Sequence, residues 1–429
     1  MYGGRVPQQR QRRSLSMPKT PGKIYRDGDS AIAKICVDAL TAAQTDRETA
    51  ETFTHPFHTY PARLHPATAR VLVELVVDGA KKDQPFLDPF CGSGTTLVEA
   101  RANGIRTLGS DLNPLAVLVS RAKTWTAPPR RRTALREAGH GIAGAALAAG
   151  KAARRASSDP APLRKPKGFD PNARDRRLAA WFAPHVRREL EDIASRIEEV
   201  GEKDAELAGV LLACLSAVLY KVSSRTSDTD ATWTERRVGR GQAARLFAQR
   251  VDLLVAGLTD LAKVHAPLPE VRELDIRKLD TLVPDGTACG VVTSPPYAGT
   301  YDYAEHQRLR FDFLGLRHRE LDAGELGSRR SFAEDPPAAR DAWKKALVGF
   351  VAKIAATLAP GRRAALVIGD SVAANRAVFA LDDLRDALTA DLAIEAWASQ
   401  ERPMLGINEK RAFGDMAKRE HAVVLKRTL

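Results

Sequence analysis

Apolar and polar positions along the chain fall into two textures. Ala31 to Ala43 has the spacing of one helix, and Val71 to Val77 is an apolar helical run. Pro85 to Asp88 reads as a short strand, Gly94 to Asn103 as a helix and Thr107 to Asp111 as a second strand. Apolar strands alternating with helices predict a parallel sheet covered on both faces. The alternation stops near Lys123. Val186, Leu190, Ile193, Ile197 and Val200 then keep a helical period, as do Val251, Leu254, Val255, Leu258, Leu261 and Val264. Leu207 to Leu219 is too short to span a bilayer and reads as a buried helix. Strands resume near Val271, with Gly290 to Thr293, Ala364 to Ile368 and Ala422 to Leu425 as candidates and Leu347 to Leu358 as a helix. The expectation is a basic arm and short helix over residues 1–53, then one α/β domain interrupted by a helical, basic insertion.

Composition adds a partner. The 429 residues hold 66 Lys and Arg against 53 Asp and Glu, a net charge of +13. Such an excess suits a polyanion, nucleic acid before an anionic membrane surface, although Arg- and Ala-rich usage also follows from a GC-rich genome. Residues 123–177 alone carry 14 basic side chains against four acids. That clustering favours nucleic acid, because genomic bias spreads arginines evenly. Residues 1–28 read as a disordered basic arm. Cys36, Cys91, Cys214 and Cys289 are widely separated, so neither a disulfide framework nor a metal site is expected. The basic start has no apolar core of a secretory signal, and a cytoplasmic protein with no membrane partner is the expectation.

Three short segments carry chemistry. In FLDPFCGSGTTL (residues 86–97) a strand ends on Asp88, and a turn containing Gly92 and Gly94 leads into a helix. The glycines let backbone approach a ligand at the carboxyl edge of the sheet. No Lys follows the second glycine, so this is no phosphate clamp, and Leu97 stands where a dinucleotide fingerprint has its third glycine. An acid before the turn suits a cationic or zwitterionic ligand. In LGSDLNP, Asp111 ends the next strand 23 residues later, where an acid faces a ribose. In TSPPY (residues 293–297), Pro295 and Pro296 remove amide donors and leave carbonyl acceptors, with the Ser294 hydroxyl and the Tyr297 ring beside them. Such a turn can accept hydrogen bonds from an exocyclic amine and stack its flat ring.

Together these residues resemble the amino-group DNA methyltransferases that use S-adenosylmethionine. DPFCGSGTT is similar to their cofactor motif, and TSPPY to their catalytic motif in the Ser form usual for N4-cytosine enzymes; N6-adenine members more often have Asp at that position. HTYPARLHP (residues 58–66) resembles a further cofactor motif, and ELDIRKL (residues 273–279) the segment whose acid, here Asp275, contacts adenine. The resemblance covers residues 54–122 and 271–429, and implies a Rossmann-like class I methyltransferase sheet with helices on both faces and S-adenosyl-L-methionine as cofactor. It implies cofactor contacts from Tyr60, Pro61, Asp88, Pro89, Cys91, Gly92, Ser93, Gly94, Thr95, Asp111, Asn113 and Asp275. Catalysis falls to Ser294, Pro295, Pro296 and Tyr297, on a cytosine flipped out of double-stranded DNA. The same chemistry admits N6-adenine DNA or RNA base methylation. A restriction-modification system with a cognate endonuclease, or host DNA marking near the nucleoid, is the implied setting.

The downstream aromatics Tyr301, Tyr303, Phe311 and Phe313 either line the base pocket or pack as core. Carbon-5 chemistry needs a nucleophilic cysteine, and neither Cys91 nor Cys289 stands in a fitting position. Target recognition falls by elimination to residues 123–270. There the aperiodic loop from Ser223 to Arg240 offers Arg225, Arg236, Arg237 and Arg240 for phosphates or guanine edges and Trp233 for stacking. The alternative is a solvated loop with Trp233 packed on the helices.

Overall fold

The structure, a computed structural model, describes residues 22–46, 48–81, 83–156, 171–225, 236–300, 302–324 and 327–428. Its strands are Ile24–Gly28 (β1), Phe86–Asp88 (β2), Thr107–Asp111 (β3), Glu270–Glu273 (β4), Ala288–Thr293 (β5), Leu358–Gly369 (β6), Ser371–Ala373 (β7), Arg376–Val378 (β8), Leu392–Glu401 (β9) and Arg419–Arg427 (β10). Eight of them form one sheet in the order β4-β3-β2-β5-β6-β10-β9-β1, and β7 with β8 makes a separate hairpin. Strands β4, β3, β2, β5 and β6 are mutually parallel. Strand β10 runs antiparallel to both β6 and β9. This is a Rossmann-like, mainly parallel sheet of the kind expected from the alternation. The chain leaves β2 for β3 and β4 on one side, then returns to β5 on the other. The carboxyl ends of β2 and β5 therefore flank the switch point, where open α/β sheets bind ligands.

Helices cover both faces. Ser30–Thr45 (α1), Pro66–Val77 (α2), Thr95–Ala102 (α3) and Pro114–Lys123 (α4) precede the insertion. Pro129–Ala156 (α5), Pro171–Trp181 (α6), Pro184–Gly201 (α7), Ala205–Leu219 (α8) and Gln242–Leu261 (α9) form it. Tyr303–His306 (α10), Arg308–Leu314 (α11), Arg319–Gly324 (α12), Arg329–Glu334 (α13), Pro336–Thr357 (α14), Ala380–Asp386 (α15) and Ile407–Phe413 (α16) follow. Strand alternation sorts the core. Phe86, Val292, Val367 and Val424 pack with Leu72, Val73 and Val76 of α2 on one face. Their neighbours Leu87, Val291, Leu366 and Val423 pack with Phe350 and Ile354 of α14 on the other.

The insertion has an apolar centre of its own: Leu135, Leu190, Ile193, Leu211, Leu215, Phe247, Val251 and Leu254. Phe57, Leu309 and Phe313, from outside it, share that centre. By length and composition Ala205–Val222 could cross a membrane. Here α8 is buried between the other insertion helices, as the sequence reading held.

Two expectations change. The end of the basic arm is not disordered, because Ile24–Gly28 pairs in register with β9, from Ile24 beside Gln400 to Gly28 beside Ala396. The basic cluster is also partly spent inside the protein. Lys123 is fully buried at the end of α4, Arg131 is ion-paired with Asp204 and Glu206, and Arg136 with Asp252. Arg177 grips the buried Asp312 with two bonds, of 2.6 and 2.9 Å.

Candidate functional site

The loop after β2 is held from three sides. Asp88 is buried; its Oδ1 accepts the Phe90 amide at 3.1 Å and its Oδ2 bonds the Thr96 hydroxyl. Burial pushes its carboxyl from 3.8 up to about 6. Asp88 thus fastens the loop to α3, and any ligand contact shares oxygens already in use. Gly92 and Gly94 have φ of +49° and +73°, a region glycine enters without strain. The Gly92 amide donates to Asp111 Oδ2 at 2.9 Å, while its carbonyl accepts Ser120 Oγ at 2.7 Å. A side chain on Gly94 would collide with Ser120 at 2.9 Å. Gly92 instead opens toward Tyr60, whose ring edge lies 3.9 Å from the place of a Cβ.

Asp111 links the loop to the next strand. Its Oδ1 accepts the Asn113 amide at 2.8 Å, and burial raises its carboxyl to about 6. A carboxylate has about four acceptor sites, so two bonds leave room for hydroxyl donors. Asn113 caps α4 through the Leu115 amide at 2.9 Å, and its amide nitrogen donates to the Tyr60 hydroxyl at 3.1 Å. Pro61 beside it is half-buried, and Pro89 is buried, with its carbonyl accepting Ser110 Oγ at 3.2 Å. Cys91 faces inward: its thiol lies 3.8 Å from Ser120 Oγ, and burial pushes its pKa well up. Burial likewise raises Cys289 to about 11. Neither is an activated nucleophile.

Asp275 follows β4 at the same edge, where the Leu274 amide bonds the Asp111 carbonyl at 3.1 Å. Its carboxylate is taken by Arg277, at 2.9 and 2.6 Å, which holds its pKa below the usual range. The adenine contact implied for Asp275 therefore competes with an ion pair that the sequence reading did not include.

Past β5 the chain enters TSPPY. Leu87 of β2 pairs with Val291 of β5, so Ser294 leaves the sheet beside the loop that follows Asp88. Pro295 is buried; Ser294, Pro296 and Tyr297 are half-buried. The Tyr297 ring lies on the end of β6. A Cβ at Gly369 would stand 2.7 Å from its Cε2 and 3.3 Å from Cδ2 and Cζ. Phe311 and Phe313 take the core alternative: Phe311 stacks on His318 at 4.6 Å and Phe313 meets Phe182 edge-on at 5.9 Å. Tyr301 lies outside the described residues, as does Trp233.

The arginines expected to meet nucleic acid divide. Arg236 donates to the carbonyls of Tyr220 and Lys221 at 3.1 and 2.8 Å, and Arg225 lies 4.8 Å from the Trp181 ring centre. Both half-exposed guanidinium groups thus already have partners within the fold. Arg237 and Arg240 are exposed.

Several positioning residues were given no role by the sequence. Arg63 donates to the carbonyl of His55 at 2.9 Å, Arg250 to those of Pro56 and Phe57 at 3.3 Å, and Arg310 to that of Thr59 at 3.3 Å. These three clamp the segment that presents Tyr60. Arg250 had a signal, being a cation inside the apolar stripe of α9 between Phe247 and Val251.

The residues fit a ribose-bearing zwitterion. Ser93 Oγ and Thr95 Oγ1 are buried without a hydrogen-bond partner, next to a loop that opens toward Tyr60 and to an acid with acceptor capacity left. Buried hydroxyls are normally satisfied, so a bound group is the natural source of these partners.

Comparison with known proteins agrees. Residues 56–126 match the family described as UPF0020: RMKL-like, methyltransferase domain. The chain is 27% identical over 278 residues to the Type II methyltransferase M.MvaI of Kocuria varians, covering 62% of this chain and 58% of that protein. It is 43% identical over 54 residues to the tRNA (guanine(10)-N2)-dimethyltransferase of Methanothermobacter thermautotrophicus, 13% of this chain and 16% of that one. Among solved structures, TrmN from Thermus thermophilus matches with a TM-score of 0.33 and 12% identity, over 87% of this chain and 52% of that one. So loose a structural match says nothing about substrate. The part of the chain that carries the Asp88 loop and Asp111 is thus similar to a methyltransferase domain, and S-adenosylmethionine is the methyl donor that this likeness implies.

Proposed function

We propose that the protein methylates an exocyclic amino nitrogen of a nucleobase in double-stranded DNA, with cytosine N4 as the target. The carrying observation is the TSPPY turn at the end of β5, beside the cofactor loop at the switch point. Tyr60, Gly92, Ser93, Thr95, Asp111 and Asn113 are the residues that would hold the cofactor. When bound, S-adenosylmethionine supplies a methyl group on a positively charged sulfur, ready for a nucleophile.

The chain's own part is positioning and electrostatics. A cytosine amine is a poor nucleophile because its lone pair is delocalised into the ring. The Ser294 hydroxyl and Pro295 carbonyl accept hydrogen bonds from that amine, which favours a tetrahedral nitrogen and frees the lone pair. Tyr297 presents a ring face to the base and offsets part of the few kcal/mol spent on unstacking it. Residues 123–270 select the sequence, with exposed Arg237 and Arg240 toward the duplex. The setting is bacterial host DNA marking or restriction-modification with a cognate endonuclease, in the cytoplasm at the nucleoid.

Identity to a Type II methyltransferase over 278 residues supports DNA, whereas the likeness to a tRNA methyltransferase covers only 54. The test incubates the protein and its Ser294→Ala and Tyr297→Ala variants with isotope-labelled cofactor and either DNA or RNA, followed by nucleoside mass spectrometry. N4-methylcytosine in DNA, lost in both variants while cofactor binding persists, is the expected result. N6-methyladenine or label confined to RNA reassigns the substrate, and full activity in both variants removes the turn from catalysis.

A further inference from the structure

Three of the six exposed large hydrophobic residues among the described residues fall within one short stretch: Leu405, Ile407 and Met416, at 59%, 66% and 52% exposure. They belong to the strap of residues 402–418 that joins β9 to β10 and contains α16. Single exposed apolar residues are ordinary on a protein surface; a cluster is a reason to look for a partner.

The strap is anchored rather than slack. Phe413 is fully buried and meets Phe379 edge-on at 5.8 Å. The Arg402 amide bonds the Lys418 carbonyl at 2.8 Å and closes the base. Glu409 accepts the Leu405 amide at 2.6 Å and the Lys418 ammonium at 2.5 Å. Thus Glu409 and Lys418 are spent on each other, and Arg402 on Glu420. Lys410 and Arg411 remain exposed, with no ion pair among the described residues, and so does Arg376 on the β7–β8 hairpin that α16 touches. Asp415 is the exposed acid of the strap. Leu405 and Ile407 are nonetheless exposed, and Lys410 and Arg411 follow Ile407 by one turn of α16.

Its place in the fold gives the strap a role. Strand β9 runs parallel to β6, so the strap rises from the same carboxyl edge as the catalytic turn. Gly369, on which Tyr297 rests, pairs with Glu420, and Glu420 pairs with Gln400. Two strand spacings, roughly 10 Å, therefore separate the Tyr297 seat from the strap's base.

We propose that the strap is a contact surface for double-stranded DNA, in which Leu405 and Ile407 press against or between bases while Arg376, Lys410 and Arg411 hold phosphates. This rests on the nucleic-acid reading of the site but adds a surface outside residues 123–270. Apolar wedges flanked by cations are what a protein needs when it opens a base stack. A duplex fits better than a lipid surface: α16 is seven residues long, with the sequence INEKRAF, and lacks a continuous apolar face.

The test uses the full chain and an end-labelled mixed-sequence DNA duplex of about 30 base pairs, with anisotropy read across a salt series. Lys410→Gln with Arg411→Gln flattens the slope of log affinity against log salt by about two. Leu405→Ser with Ile407→Ser weakens binding about tenfold and leaves the slope unchanged. Thermal unfolding like the parent's confirms that both pairs fold. If both pairs bind as the parent does while the parent methylates DNA, the strap proposal falls and the function stands. If the pairs weaken binding but no methyl group reaches any nucleic acid, the reaction falls and the strap stands. A parent that binds no duplex overturns both. Sedimentation of the parent, but not the apolar pair, with phosphatidylglycerol vesicles, together with unchanged duplex binding, reassigns the strap to lipid.

Discussion

Gly369→Ala is a probe of the proposed catalytic turn placed outside the turn itself. The nearest atoms to the added Cβ all belong to the Tyr297 ring, at 2.7, 3.3 and 3.3 Å. Carbon atoms rest at about 3.5–4.0 Å, so the ring must give by about 1 Å. Overpacking of this kind costs about 1–3 kcal/mol of stability. A misplacement of about 1 Å in a positioning group can cost about 100-fold in rate. The expected phenotype is a drop in kcat for methyl transfer with cofactor Kd unchanged, measured by label incorporation and by calorimetry. Tyr297→Ala supplies the control for stability. With no ring to displace, the added methyl carries no penalty, so the double variant unfolds in urea like Tyr297→Ala alone. A Gly369→Ala enzyme with parental kcat, or stability losses that simply add in the double variant, would refute the placement of the ring.

Two further predictions concern buried charge. Asp88 has its carboxyl raised from 3.8 to about 6, so the folded state holds more protons than the unfolded one between those values, and stability falls as pH rises through that window. The difference amounts to about 3 kcal/mol; Asp88→Asn, whose amide can still meet Phe90 and Thr96, should raise the urea midpoint at pH 7.5 and flatten its change between pH 4 and 6, and a midpoint lowered equally at both ends would contradict this. Lys123 is buried with an unpartnered Nζ near Arg63 and Glu99, and burial lowers its pKa from 10.5 to about 7. The folded state therefore holds fewer protons between those values and gains stability as pH rises from 7 to 10; Lys123→Met should remove that gain, and a parental pH profile in the variant would count against it.

Local chemistry was the legible part of the sequence. The DPFCGSGTT and TSPPY segments declare themselves because strand, turn and helix follow within a dozen residues, and each turn needs particular residue types. Strands β2, β3, β5, β6 and β10 were found because burial on both faces leaves continuous apolar runs. Strand β9 was missed: LAIEAWASQE keeps charged and half-exposed positions, and β1 joins the sheet by pairing with it. The clamps on the Tyr60 segment were also invisible, since Arg250 and Arg310 meet it across 193 and 251 residues of chain. Periodicity can mark such a cation as out of place but cannot name its partner.

Charge was the least faithful guide, for a physical reason. A count of basic residues sums groups that bind a partner with groups that hold the fold. Lys123, Arg131, Arg136 and Arg177 all lie in the most basic stretch, and each is buried or paired with an acid. A paired surface cation has little field left for a phosphate, and a buried one cannot reach it. Among the described residues, the exposed cations that can meet a polyanion include Arg237 and Arg240 in the insertion, and Arg376, Lys410 and Arg411 at the end of the sheet that carries TSPPY. The two groups come from opposite sides of the TSPPY turn in sequence. A duplex gripped by both would place the bases between them within reach of Tyr297, so the salt dependence of binding should respond to substitutions in either group.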